Sequence, residues 1–216
     1  MAQVKRAAGP PARRRYAKRL QPADRREQLL DVALNIVAES GFADVSVAAV
    51  AERGGVTRPV VYDSFGSRDE LLADLVERET TRMQEAVVRA MSEVDGSIRS
   101  GADPRDVLAA ALVRFLAEVR AMPETWRLVY FPLSGVPSTL RERVVQAHDQ
   151  PRGPLHRVLG AWLTGRPDAD EVDVDVLVQL IQGLIQTAAR LVLDEPDRFD
   201  VDRILAQFDL VLFQES

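Results

Sequence analysis

Apolar residues recur at three- and four-residue steps through most of the chain, and the breaks between repeats delimit its elements. Leu30, Ala33, Leu34 and Val37 stand at i, i+3, i+4 and i+7, the stripe of one helix. Asp24 is placed to cap its first turn with Glu27 three residues on; Gly41 ends it near Ser40, with Phe42 folding back as the apolar partner. Val47, Val50 and Ala51 mark a second, short helix capped by Ser46 and stopped at Gly54-Gly55. Thr57 caps a third, with Pro59 in the first turn, where the missing N–H has no intrahelical acceptor to lose. Val61 and Phe65, four apart, form its inner side. Ser67 and Glu70 make a second capping box, and Leu72, Leu75, Val76, Met83, Ala86, Val87 and Ala90 make the next helix a long rod.

Beyond the rod, residues 95–103 read as a loop, and Asp103-Pro104 opens a helix to about Met122. Pro123 starts a short helix containing Trp126 and Tyr130. After a break at 131–137, Ser138 caps a further helix that Pro151 and Pro154 interrupt before Trp162. Two helices close the chain, near 172–193 and 200–213. The first carries two stripes, one through Leu177, Leu180, Ile181, Leu184, Ala188 and Leu191, the other through Val174, Val178, Ile185, Ala189 and Val192. A helix apolar on two faces must be covered twice. One face packs in its own domain; the other, where Gly183 and Ala188 permit close approach, is a candidate seam between two copies, shared with Ile204, Phe208, Val211 and Leu212. Burial inside one chain is the alternative. The predicted class is all-α.

At 216 residues, 46% hydrophobic and 28% charged, the chain has the composition of a folded protein. The absence of cysteine removes disulfides, thiolate metal sites and cysteine nucleophiles, and two histidines leave little for a metal cluster, so no metal and no cofactor is expected. The acids Asp168, Asp170, Glu171, Asp173 and Asp175 fail as a calcium loop, because Val172 and Asp173 stand where an oxygen ligand and a glycine are needed; carboxylates at a helix start account for them. No apolar run is seen to approach the ~20 residues of a membrane span, and the basic N-terminus lacks a signal-peptide core, so the expected location is cytoplasmic.

Charge is unevenly placed. Residues 1–26 hold nine Lys/Arg, including Arg13, Arg14, Arg15, Arg19, Arg25 and Arg26, against Asp24, in a chain of net charge -5. Such an arm suits a polyanion, or serves only as a solubilising tail. Past the first helix come two short helices joined by a glycine turn, the helix-turn-helix layout. Thr57, Arg58, Pro59, Val60, Tyr62 and Asp63 are assigned to the outer face of the second. Arg58 at the helix start suits guanine in a major groove, Val60 and the Pro59 ring suit thymine methyls, and Tyr62 a phosphate. Arg68, with the first amides of the rod, forms another phosphate site.

The ordered set "AESGF", "VAAVAERGGVTRPVVYDSFGSRDELL" resembles the DNA-binding domain of TetR-type (tetracycline-repressor-like) transcriptional regulators over residues 24–72. The resemblance implies a basic arm at 1–21, a DNA-binding domain at 22–70 and a helical ligand-binding and dimerisation domain at 71–216. Thr57, Arg58, Pro59, Val60 and Tyr62 then lie on the recognition helix, and Arg68 replaces the usual phosphate-binding lysine; Asp63 and Ser64 depart from the pattern. It further implies a homodimer joined by the last two helices, a palindromic DNA operator, repression, and release by a small molecule among Phe115, Met122, Trp126, Tyr130, Phe131, His148, His156 and Trp162. Gln179, Gln182, Gln186 and Arg190 make a polar line beside them. Simple core packing is the competing reading of these aromatic residues. An enzyme has no nucleophile and base paired in the sequence to support it; a helical adaptor, or an activator without an inducer, stays open.

Overall fold

A computed structural model describes residues 21–129, 140, 153–164 and 169–212, the last four without their side chains. The arm with Arg13, Arg14, Arg15 and Arg19, the segment with Tyr130, Phe131, the Ser138 cap and His148, and the Val211 side chain lie outside the described residues. The helices are α1 (Pro22–Ser40), α2 (Val47–Arg53), α3 (Arg58–Phe65), α4 (Arg68–Met91), α5 (Val94–Arg99), α6 (Pro104–Ala121), α7 (Pro123–Val129), α8 (Gly153–Leu163), α9 (Val174–Asp194) and α10 (Val201–Leu212), with 3-10 turns at Phe42–Asp44 and Ala169–Glu171. Among the described residues there is no strand.

Most boundaries obey the local chemistry. Ser46 Oγ accepts from the Ala49 amide and Ser67 Oγ from the Glu70 amide, both at 3.1 Å, as their cap positions require. Asp103 and Asp173 cap α6 and α9 in the same way. Two starts differ from expectation. α1 begins at Pro22 after an uncapped Gln21, so Asp24 sits inside the first turn, where it favours the helix dipole rather than capping. Thr57 precedes α3 in extended conformation, and its side chain makes no capping bond. Residues 94–99 are helical rather than loop: Val94 is buried and Ile98 packs with it against Val107, Leu108, Ala111 and Val158, a contact the polar composition of 95–103 concealed.

The main core runs without a break from Leu29, Phe42, Val61 and Leu72 to Phe115, Trp126, Val192 and Ile204. It therefore crosses the position 70/71 at which two domains were expected. α4 belongs to both sides, and α7 packs on α1 as well as on α4. The smaller cluster of Leu159, Val178 and Ile181 ties α8 to α9.

α9 bears on two expectations. At 21 residues, with a mean hydropathy of 1.6 over its most apolar 18-residue window, it is long and apolar enough by length and composition to cross a membrane. In this fold it buries Val178, Ile181, Ala188, Ala189, Val192 and Leu193 against the rest of the chain. The residues of the predicted seam divide by exposure. Leu180 and Leu184 are exposed (62% and 37%), but the residue that continues their row is Val176 (53%). Ala188 and Ile204 are buried, while Leu177, Leu191 and Phe208 are half-buried. A row drawn every fourth residue drifts by about 40° per step around a helix. By Ala188 it has turned into the core.

Candidate nucleic-acid interface

The turn between α2 and α3 is closed by two glycines for different reasons. A Cβ on Gly54 would stand 2.8 Å from the Val50 carbonyl oxygen of α2 and 2.9 Å from Leu29 Cδ2 of α1, so these two neighbours leave no room for it. Gly55 has open space around it but a φ of +63°, a conformation that side chains disfavour. The Val56 amide then donates to the Ala51 carbonyl at 2.9 Å and closes the turn. α3 is anchored from beneath by Val61 and Phe65, both buried. Thr57, Arg58, Pro59, Tyr62 and Asp63 are left exposed along it. Val60 departs from its predicted place: it is half-buried and lines, with Ala23, Arg25, Val56 and Ser64, an open groove between α3 and the start of α1.

Several arginines that the charge pattern offers to a polyanion are occupied within the fold. Arg26 lies over the Phe65 ring at 4.5 Å and donates to the Ser64 carbonyl and the Asp74 carboxylate, joining α1, α3 and α4. Arg68 Nε donates to the Val45 carbonyl at 2.5 Å and its Nη2 to the Phe42 carbonyl at 2.8 Å. Its guanidinium thus holds the segment before α2, a task different from the phosphate contact expected of it. Arg53 pairs with Glu39 at 2.5 Å. Arg58, by contrast, stands exposed at the first position of α3.

A short helix, a glycine turn and a second helix with its outer face bare, all set against a supporting α1, define a helix-turn-helix protein. Residues 29–75, which hold the helix-turn-helix unit, match the model of "Bacterial regulatory proteins, tetR family". The HTH-type transcriptional regulator BetI of Stenotrophomonas maltophilia (strain R551-3) is 35% identical over 86 residues, 40% of this chain and 41% of that protein. The HTH-type transcriptional activator FasR of Mycolicibacterium smegmatis (strain ATCC 700084 / mc(2)155) is 28% identical over 116 residues, 54% and 50% of the two chains. This chain thus spans half or less of the length of these two relatives. Over nearly its whole length it has the fold of a TetR-like regulator from Rhodococcus sp. RHA1 (TM-score 0.64, 24% identity, 91% of this chain and 100% of that one). The fatty acid degradation regulator FadR from Bacillus halodurans gives a TM-score of 0.61 at 17% identity, covering 92% and 100%.

The residues expected around a ligand divide. Phe115 and Trp126 are core residues packed edge to face, with ring centroids 5.1 Å apart, and Trp126 Nε1 donates to the Glu118 carbonyl at 3.2 Å. Met122, Trp162 and Gln182 are half-buried, and Gln186 is exposed. His156 stands 3.4 Å from Asp175 at an open cleft with Gln179. Among the described residues no group of three His, Asp or Glu is arranged to hold a metal ion.

Sequence reasoning passed over one cluster. Glu79 is fully buried on α4, bonded by Arg78 Nε at 2.7 Å and Arg82 Nη1 at 3.3 Å. Arg78 Nη1 also reaches Asp31 at 2.9 Å and the Glu27 carboxylate at 3.0 Å on α1. Burial works against the Arg78 charge, but Glu79 beside it and the bonds to Glu27 and Glu79 outweigh that and raise its pKa above the ordinary value. A signal was present: Glu79 interrupts the apolar stripe of α4 between Val76 and Met83.

Proposed function

We propose that this chain is a sequence-specific DNA-binding transcriptional regulator, not an enzyme, acting in the cytoplasm as a homodimer on a palindromic operator. The carrying observation is the bare outer face of α3, with Arg58 at its first position and Val61 and Phe65 fixing it from below. In this reading Arg58 contacts a base edge, Thr57, Pro59 and Tyr62 contact methyls and phosphates, and Val60 works from the groove. Asp63 beside them and the pairing of Arg26 and Arg53 leave the described face with little spare positive charge. The arm with Arg13, Arg14, Arg15 and Arg19 therefore supplies much of the attraction to phosphate. The second copy seats on Val176, Leu180 and Leu184, exposed in one row on α9, with Gly183 beside them open to close approach. The expected mode is repression relieved by a small molecule in the C-terminal helices; the name of the relative FasR, an activator, favours activation as the second reading.

Selection of bound sequences from random duplex DNA tests the proposal, comparing the intact chain, Arg58→Ala and a chain lacking residues 1–20 at two salt concentrations. A palindrome is expected for the intact chain, with preference relaxed by about 1–3 kcal/mol per contact in Arg58→Ala. The shortened chain keeps the motif with weaker binding and a shallower salt slope. Failure of the intact chain to enrich any sequence refutes it.

A further inference from the structure

Among the described residues, two polar side chains are buried, Glu79 and Thr125, and they are bonded to each other: Thr125 Oγ1 on α7 donates to Glu79 Oε2 on α4. The other carboxylate oxygen of Glu79 accepts from Arg78 and Arg82, which turn outward to Glu27 and Asp31 on α1. A continuous polar chain therefore runs from α7 through the centre of α4 to the helix that supports α3. Arg78 Nη2 is buried in it with no hydrogen-bond partner. Burying a carboxylate is costly, and an ion pair so placed is often no more stabilising than apolar residues of the same size. What it adds is geometry. A buried carboxylate tolerates only the arrangement in which its donors are present, whereas an apolar contact permits sliding.

We infer that the Thr125–Glu79–Arg78 chain is a latch that fixes the tilt of α1, and with it the reading helix α3, to the position of α7. Thr125 is then a positioning residue for DNA recognition, although it lies on α7, outside the helix-turn-helix unit. Displacement of α7 withdraws the Thr125 hydroxyl, leaves Glu79 with an unmet oxygen and frees α1 to re-orient. The functional part of this inference rests on the DNA-binding reading; the mechanical part does not.

The test uses the full chain, with Thr125→Val, which keeps the shape and removes the donor, Thr125→Ser, which keeps the donor, and Glu79→Gln. Amide hydrogen exchange is monitored helix by helix, and affinity is measured for the duplex that the intact chain selects. Thr125→Val is expected to speed exchange in α1 and α7 by ~10–100-fold, the loss of one bond to a charged group, with α8 and α9 unchanged. Its DNA affinity is expected to fall by about 3–10-fold, because the competent tilt is only partly populated. Thr125→Ser should match the parent in both, and Glu79→Gln should fall with Thr125→Val. Unchanged exchange in α1, equal acceleration of every helix, or a serine variant that behaves like valine would overturn the latch. If the intact chain selects no duplex, the regulatory reading falls, and the exchange pattern alone still decides whether the latch exists.

Discussion

Replacing Arg68 by alanine measures two roles of its guanidinium by two different readouts. In the fold, Nε and Nη2 bond the carbonyls of Val45 and Phe42, one residue before the α2 cap and at the start of the turn that ends α1. Each bond comes from a charged donor, for which about 1.5–3 kcal/mol is usual when the partner is left dry. The Arg68 side chain is 37% exposed, so water reaches part of the site and recovers part of the loss. The net effect is about 2 kcal/mol, well below the sum of two fully buried bonds. For a chain of this size that corresponds to a fall in Tm of about 4–8 °C. Arg68→Lys should recover less than half, since a single ammonium does not reproduce the fork. Urea unfolding of the full chain measures the stability, and a salt titration of DNA binding measures the phosphate contact. Parental stability in Arg68→Ala, together with a salt slope reduced by about one, would refute the structural role and restore the phosphate role read from the sequence.

The other expectations are more local. Gly54→Ala brings a Cβ against Leu29 and the Val50 carbonyl and should cost about 1–3 kcal/mol by urea unfolding, whereas Gly55→Asn, in open space at positive φ, should cost less, since Asn tolerates the left-handed region better than other side chains. Trp126→Ala should cost about 3–5 kcal/mol; full stability would show that Trp126 lines a cavity rather than fills the core. Leu180→Glu with Leu184→Glu should convert a dimer to monomers in sedimentation equilibrium while α-helical circular dichroism stays intact, since each leucine contributes about 1.5–3 kcal/mol when covered. Glu118 is held below the usual carboxylate range by its hydrogen bonds with Arg89, at 2.8 and 3.1 Å, against the opposing effect of burial. A depressed acid contributes stability above its unfolded pKa and loses it as pH falls through the folded value. Glu118→Gln should therefore be less stable than the parent at neutral pH, and the difference should close on acidification in urea melts taken across the acid range.

Periodicity was enough to place α1, α2, α3, α4 and α6 within a few residues, helped by the caps Ser46, Ser67 and Asp103 before α2, α4 and α6 and by Gly41, Gly54 and Gly66 after α1, α2 and α3, because those signals are local. The Gly54-Gly55 turn and the Val61/Phe65 pair made α3 legible for the same reason. Which arginines remained available was not local. Arg26 and Arg68 look like phosphate ligands in a basic sequence, and only the arrival of Ser64, Asp74, Phe42 and Val45 from elsewhere in the chain turned them into braces. α5 was hidden because its partners Val107 and Val158 come from α6 and α8.

By itself the sequence determined an all-helical chain, a helix-turn-helix unit near its start and a face of α3 with Arg58 at its head, since each depends on residues within two turns of one another. The tertiary structure decided the rest. It turned Ala188 and Ile204 into the core and left Val176, Leu180 and Leu184 outside, because the inner side of α9 is set by where α6 and α8 meet it. It also carried one core through α4 and set Thr125 against Glu79 across 46 residues of chain. A hydrogen bond between distant residues exists only after the helices that carry them have packed, so no spacing in the sequence encodes it directly.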